Sequence, residues 1–131
     1  MRLLLDTHIA LWAIADHPNL SAKARILIDD PDNEIVVSAA TIWEIGIKHA
    51  LANGNANAMP ISGKDALGYF RDAGFAVVDI SPAHAAAAEI LPPLHGDPFD
   101  RLLVAQAMTV PLRLVTSDRK VAAYNDSIIL A

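Results

Sequence analysis

Short apolar runs alternate with helical stretches along the whole chain, and this alternation limits the fold more than any other feature. Arg2 to Leu5, Glu34 to Ser38, Phe75 to Ile80 and Leu112 to Val115 read as buried strands, and Ile128 to Leu130 as a last edge strand. Between them lie segments with helical start and stop signals. Thr7 or Asp6 caps a helix through Leu11, Trp12 and Ile14, and Ser21 caps a second. Thr41 begins a third, running to Leu51. Lys64 to Asp72 is a fourth, and Ser81-Pro82 opens an Ala-rich fifth that Pro92-Pro93 ends. Asp97-Pro98 opens a sixth, and a short helix follows Asp118 to about Tyr124. Strands that are apolar on both sides and separated by helices predict a parallel sheet covered on both faces. The expected fold is one α/β domain over residues 1–131, a three-layer α/β/α sandwich around four to five parallel strands. Asn53 to Pro60 reads as an exposed loop.

The helix opening at Asp97-Pro98 carries an oddity. Asp100 falls on the same helical face as Leu103, Val104 and Ala107, at spacings of three, four and seven. An inward carboxylate needs a positive partner, either a basic side chain or a metal ion. Three other acids share this character. Asp6 directly follows the first strand, Asp118 follows the fourth, and Glu44 sits between Trp43 and Ile45 in a mostly apolar helix. Ligands of parallel α/β sheets sit outside the carboxyl ends of the strands. There Asp6, Glu44, Asp100 and Asp118 are placed to converge. Four ionised carboxylates side by side require cations. Oxygen donors in a chain without cysteine point to Mg²⁺ or Mn²⁺.

Each acid also has a purely structural reading. Asp6, Asp118 and Asp97 suit helix N-caps, with Asp97 three residues before Asp100 and so able to reach the rim of a site. Glu44 would pair with Lys48 at i,i+4. Asp100 would pair with a basic group across the core. The histidines His8, His17, His49, His84 and His95 share no ligand spacing and read as surface or loop residues. Trp12 and Trp43 read as core or interface anchors, not as base-stacking platforms.

Charge and composition narrow the partners. A net charge of −5 gives no global basic signal for nucleic acid, although bound divalent ions would cancel part of it locally. A hydrophobic content of 53% is high for a small domain and points to surface buried against a partner or a second copy. The absence of cysteine fits a reducing compartment. Arg2 with Leu3 to Leu5 and Ala13-Ile14-Ala15 loosely imitates a secretory signal. However, Asp6 and His8 break the apolar run, so a cytoplasmic protein with no membrane span is expected.

Taken together these motifs resemble the PIN-domain proteins, specifically the VapC-type toxin nucleases of bacterial toxin–antitoxin pairs. The resemblance spans the full length. It is carried by Leu4-Leu5-Asp6-Thr7-His8, by Val37-Ser38 with Trp43-Glu44-Ile45, by Asp97-Pro98-Phe99-Asp100-Arg101-Leu102-Leu103 with Ala105-Gln106-Ala107, and by Leu114-Val115-Thr116-Ser117-Asp118. It implies a Mg²⁺- or Mn²⁺-dependent endoribonuclease. Its acidic quartet would be Asp6, Glu44, Asp100 and Asp118, with Thr116 and Asp97 as accessory groups. It also implies an RNA substrate, a homodimer and a cognate antitoxin that covers the site. Lys48, Arg101, Arg119 and Lys120 lie near the acids in sequence; each reads first as a solvated surface charge and, as the alternative, as a contact to flanking phosphates. The alternative is a non-catalytic PIN-fold binding module. A receiver domain fits poorly, because Asp6 is followed by Thr7-His8 and Asp79 falls within the third strand. A haloacid-dehalogenase-type phosphatase would need a second Asp where His8 stands.

Overall fold

The computed structural model describes residues 1–52 and 59–131. Five parallel strands form one sheet: β1 (Arg2–Leu5), β2 (Glu34–Ser38), β3 (Ala76–Val78), β4 (Arg113–Thr116) and β5 (Ile129–Leu130). Their order is β3-β2-β1-β4-β5. Leu3 lies opposite Ile35 on one side and Arg113 on the other, and Leu5 lies opposite Val115. The chain therefore builds outward from β1 twice, first to β2 and β3, then to β4 and β5. A crevice opens where the direction reverses, beyond the carboxyl ends of β1 and β4.

Seven helices are described: α1 (Thr7–Ala15), α2 (Ala22–Asp29), α3 (Ala39–Leu51), α4 (Gly63–Asp72), α5 (Pro82–Glu89), α6 (Pro98–Thr109) and α7 (Arg119–Ala122). Successive strand side chains point to opposite faces, so each strand feeds two cores. Leu3, Leu5, Val37 and Val115 pack with Ile9 and Ala10 of α1, Ile45 of α3 and Phe70 of α4. Leu4, Val36 and Leu114 pack with Leu103 and Val104 of α6 and Val121 of α7. The two cores make the three layers that the alternation of apolar strands and helices predicts.

The helix starts follow the local chemistry. Ser21, Ser62 and Ser81 each accept the N3 backbone N–H of the helix they cap. At α5 the cap is reciprocal: His84 Nδ1 accepts the Ser81 N–H at 3.0 Å, as the second half of a capping box. His84 is thereby buried, contrary to the surface or loop position expected of it. β3 stops at Val78, so Asp79 and Ile80 lie outside the strand expected to contain them, where three residues suffice to pair with β2. Of the loop expected at Asn53 to Pro60, residues 53–58 lie outside the described residues. Of its two described residues, Met59 is buried in the first core and Pro60 is exposed.

α3 and α4 meet through glycine. A Cβ built on Gly63 would lie 2.9 Å from the Ile42 carbonyl oxygen and 3.3 Å from the Gly46 Cα. Both neighbours are backbone and cannot turn aside. Gly63→Ala is expected to push α4 off α3 and to cost about 1–3 kcal/mol, the range for overpacking. A urea melt with unchanged slope and a lower midpoint would show it.

Candidate active site

The four acids come from four elements around the carboxyl ends of β1 and β4. Asp6 follows β1, where its backbone N–H donates to Val115 of β4 at 3.0 Å. Its Oδ1 caps α1 by accepting the Ile9 N–H at 2.9 Å. Its Oδ2 accepts the Thr116 hydroxyl. Thr116 Oγ1 in turn accepts the Asp118 N–H at 3.0 Å, so one hydroxyl ties the ends of β1 and β4 together. Asp118 also caps α7 through the Lys120 N–H.

Glu44 projects inward from α3 and is 3% exposed. Its Oε1 accepts the Thr7 hydroxyl at 2.7 Å. Because Thr7 spends its one proton on Glu44, the 3.1 Å contact between Thr7 and Thr41 has Thr41 as donor. Its Oε2 meets Lys48 Nζ at 2.6 Å. That i,i+4 pair places Lys48 on the acid cluster itself, with about half its side chain open to water.

Asp100 sits in the first turn of α6. Asp97, the N-cap, accepts the N–H groups of Phe99 and Asp100 through Oδ1. Asp100 Oδ2 meets His95 Nε2 at 2.8 Å, and the same nitrogen is 3.7 Å from Asp118 Oδ2. His95, Asp100 and Asp118 thus bring three donor atoms within 4.8 Å of one another. His95 is not the bystander its sequence position suggests. Its backbone is held at both ends of the peptide by Tyr124, whose hydroxyl accepts the His95 N–H at 3.0 Å and faces the His95 carbonyl at 3.3 Å.

Burial raises the pKa of Asp6, partly opposed by the Thr116 and Ile9 hydrogen bonds and the nearby His8, and Glu44 raises it further. Burial also raises Asp100, against its His95 bond, with Asp97, Asp6 and Glu44 adding to the rise. Asp6 and Glu44 lie outside the close set of His95, Asp100 and Asp118, and act on Asp100 only through their charge. The donor set is carboxylate oxygen with one imidazole and no sulfur, which suits a hard divalent cation. A cation would relieve the charge crowding that burial creates here.

Two other expectations come out differently. Arg101 does not face the acids as a free phosphate contact. Its guanidinium donates to the carbonyls of Pro92, Ala88 and Leu91, at 3.1, 2.9 and 3.2 Å, and to Tyr124 Oη. A planar fork with five donors spans the carbonyls in and just after the last turn of α5, and this use occupies it. Trp43 is no core anchor: it is 59% exposed. Trp12 is half-buried and stacks between His8 and His17 along a cleft of about 720 Å³, whose lining includes Met59, Ile61 and Tyr69 but none of the four acids. Arg119 and Lys120 are exposed beside Asp118.

The sequence matches the PIN domain over residues 3–127. The chain belongs to the PIN-domain family. It is 34% identical over 125 residues to Ribonuclease VapC22 of Mycobacterium tuberculosis, a match covering 93% of this chain and 91% of that protein. Its fold is similar to that of VapBC2 from Rickettsia felis, solved bound to a DNA fragment from their promoter. The TM-score is 0.69 at 20% identity, covering all of this chain and 98% of that one. FitAcB from Neisseria gonorrhoeae gives a TM-score of 0.59 at 18% identity, covering 98% and 96% of the two chains. In this PIN domain the groups that sequence reasoning missed are Thr7, Thr41, His95 and Tyr124. Thr7 was legible only as a cap. His95 stands two residues before Asp97 in an irregular loop, where no periodicity aims a side chain.

Proposed function

We propose that this PIN domain is a metal-dependent endoribonuclease and the toxin of a toxin–antitoxin pair, acting in the cytoplasm. The single observation that carries the reading is the gathering of His95, Asp100 and Asp118 beyond the strand ends, with the buried acids Asp6 and Glu44 on neighbouring elements, in a chain similar to Ribonuclease VapC22. Asp6, Glu44, Asp100 and Asp118 would hold Mg²⁺ or Mn²⁺. Such an ion lowers the pKa of a bound water and polarises a phosphoryl oxygen.

The chain's own groups set the rest. Thr116 and the α1 N-terminus fix both oxygens of Asp6, and Thr7 and Lys48 fix both oxygens of Glu44. His95 orients Asp100, and Asp97 holds the start of α6 from which Asp100 projects. Lys48, Arg119 and Lys120 would steer the flanking RNA phosphates. A cognate antitoxin and a second copy of this chain are the expected protein partners. The helix faces leave Ile26, Leu51, Ile90 and Met108 more than half exposed, apolar area suited to such contacts. Among the described residues no helix is long and apolar enough to cross a membrane.

The test is cleavage of labelled total RNA by the purified protein with Mg²⁺ or Mn²⁺, and with EDTA. Discrete fragments that vanish with EDTA are expected. Fragments that persist in EDTA would overturn the metal-dependent reading. Stable RNA binding without cleavage would instead favour a non-catalytic binding module.

A further inference from the structure

Trp43 and Phe99 are the two aromatic side chains that stand directly beside site acids in sequence, one before Glu44 and the other before Asp100. Helices α3 and α6 bring them together. Their ring centroids are 5.3 Å apart and the ring planes meet at 74°, an edge-to-face contact. Phe99 is half-buried in this contact, while Trp43 remains 59% exposed. The contact holds the indole in one orientation and leaves most of it in water. Neighbouring helix positions point about 100° apart, so a ring at position 43 emerges at the rim of the cluster into which Glu44 points.

A large flat apolar surface, fixed in place and open to water at the edge of a carboxylate cluster, suits one kind of occupant. Any polynucleotide whose phosphate lies on the acids carries its bases past this rim. Base–aromatic stacking accepts every base, because every base has a π face. It requires the base to be unpaired and splayed out, because a duplex buries its base faces. Lys48, one turn beyond Glu44 and half-exposed, adds positive charge beside the acid.

We infer that Trp43, braced by Phe99, is a stacking platform that positions an unpaired nucleobase next to the cleaved phosphate. This rests on the ribonuclease reading given above. Trp43 is a positioning residue in this scheme and takes no part in the bond-breaking step.

The experiment compares wild type with Trp43→Leu and Trp43→Phe, measuring KM and kcat on a labelled single-stranded RNA with Mn²⁺. In parallel, quenching of 2-aminopurine placed in the same RNA is read in the cleavage-deficient Asp100→Asn background. Trp43→Leu keeps an apolar side chain but has no π face. It is expected to raise KM about 5- to 100-fold, the range for one stacked base. Its kcat is expected within about twofold of wild type, on the rule that loss of uniform binding leaves kcat alone. Thermal stability should fall by no more than a few degrees, the loss expected for the Phe99 contact alone. Trp43→Phe should recover most of the loss, and the quench should disappear in the Leu variant alone. Unchanged KM and unchanged quench in Trp43→Leu, with cleavage intact, would overturn the platform and leave the ribonuclease standing. A changed elution volume with unchanged KM would likewise overturn it, marking Trp43 as a protein contact. Absence of cleavage by wild type, with the quench present, would overturn the ribonuclease reading and leave the platform standing.

Discussion

Asp100→Asn is expected to lower RNA cleavage about 10³-fold or more, equivalent to roughly 4 kcal/mol of transition-state stabilisation, with the fold intact. The carboxylate lies beside His95 and within the influence of Asp6 and Glu44, so its loss removes a charged oxygen from the middle of the cluster. Asp6→Asn is expected to behave alike. Asp97→Asn is the informative contrast. Asp97 uses Oδ1 to accept two N–H groups at the start of α6, and an asparagine oxygen makes the same cap. Activity within a few-fold of wild type is therefore expected for it. Cleavage kinetics of the three variants on one RNA substrate decide the matter. If Asp97→Asn is inactive and Asp100→Asn active, the two aspartates have been assigned the wrong way round. Circular dichroism melts accompany the kinetics. The metal-free Asp100→Asn protein should melt no lower than wild type, because burial and neighbouring acids already disfavour the Asp100 charge.

Divalent ions should stabilise the protein, and more strongly near neutral pH than in mild acid. The sign follows from linkage. Asp6 and Asp100 both titrate above the ordinary aspartate value of 3.8, chiefly through burial. Between that value and the raised one, the folded chain binds more protons than the unfolded chain. The contribution of these two groups to stability therefore falls as pH rises. The penalty is absent below the unfolded value, grows through the window, and is complete above the raised pKa. A cation binds the ionised carboxylates and removes the penalty, releasing protons as it does so. With Mg²⁺ or Mn²⁺ at about a hundredfold excess over its Kd, the linkage relation gives about 2.7 kcal/mol. For a domain of this size that is on the order of 10 °C in Tm. Differential scanning fluorimetry with and without metal, at about pH 5 and about pH 7.5, measures the effect, since carboxylate titration spans that side of neutrality. An equal rise at both pH values, or an undiminished rise in Asp100→Asn, would remove Asp100 from the metal site.

The alternation of apolar runs and helix signals was enough to set the layers, the approximate strand positions and the parallel sheet, because all three follow from local periodicity and burial. The inward face of Asp100 was legible for the same reason: spacings of three, four and seven along α6 are a local property. Strand order was not legible. Nothing in β1 itself states that β2 and β4 will flank it, yet that arrangement brings Thr116 within hydrogen-bonding reach of Asp6, 110 residues away.

The misplaced residues share a cause. Arg101 follows Asp100 and reads as a phosphate contact, but the segment that ends α5 presents it with the carbonyls of Ala88, Leu91 and Pro92. His95 lies in an irregular stretch, and only the tether to Tyr124, 29 residues away, turns it onto Asp100. Trp43 occupies a helix whose other residues are largely apolar, so its type suggests burial. Its exposure depends on where α6 ends up. By itself the sequence determined what each segment becomes and which carboxylates face inward, since those follow from neighbours within a turn or two. Only the tertiary structure decided which groups meet across the strand ends, since contacts between distant segments are set by how the layers stack and not by any local pattern.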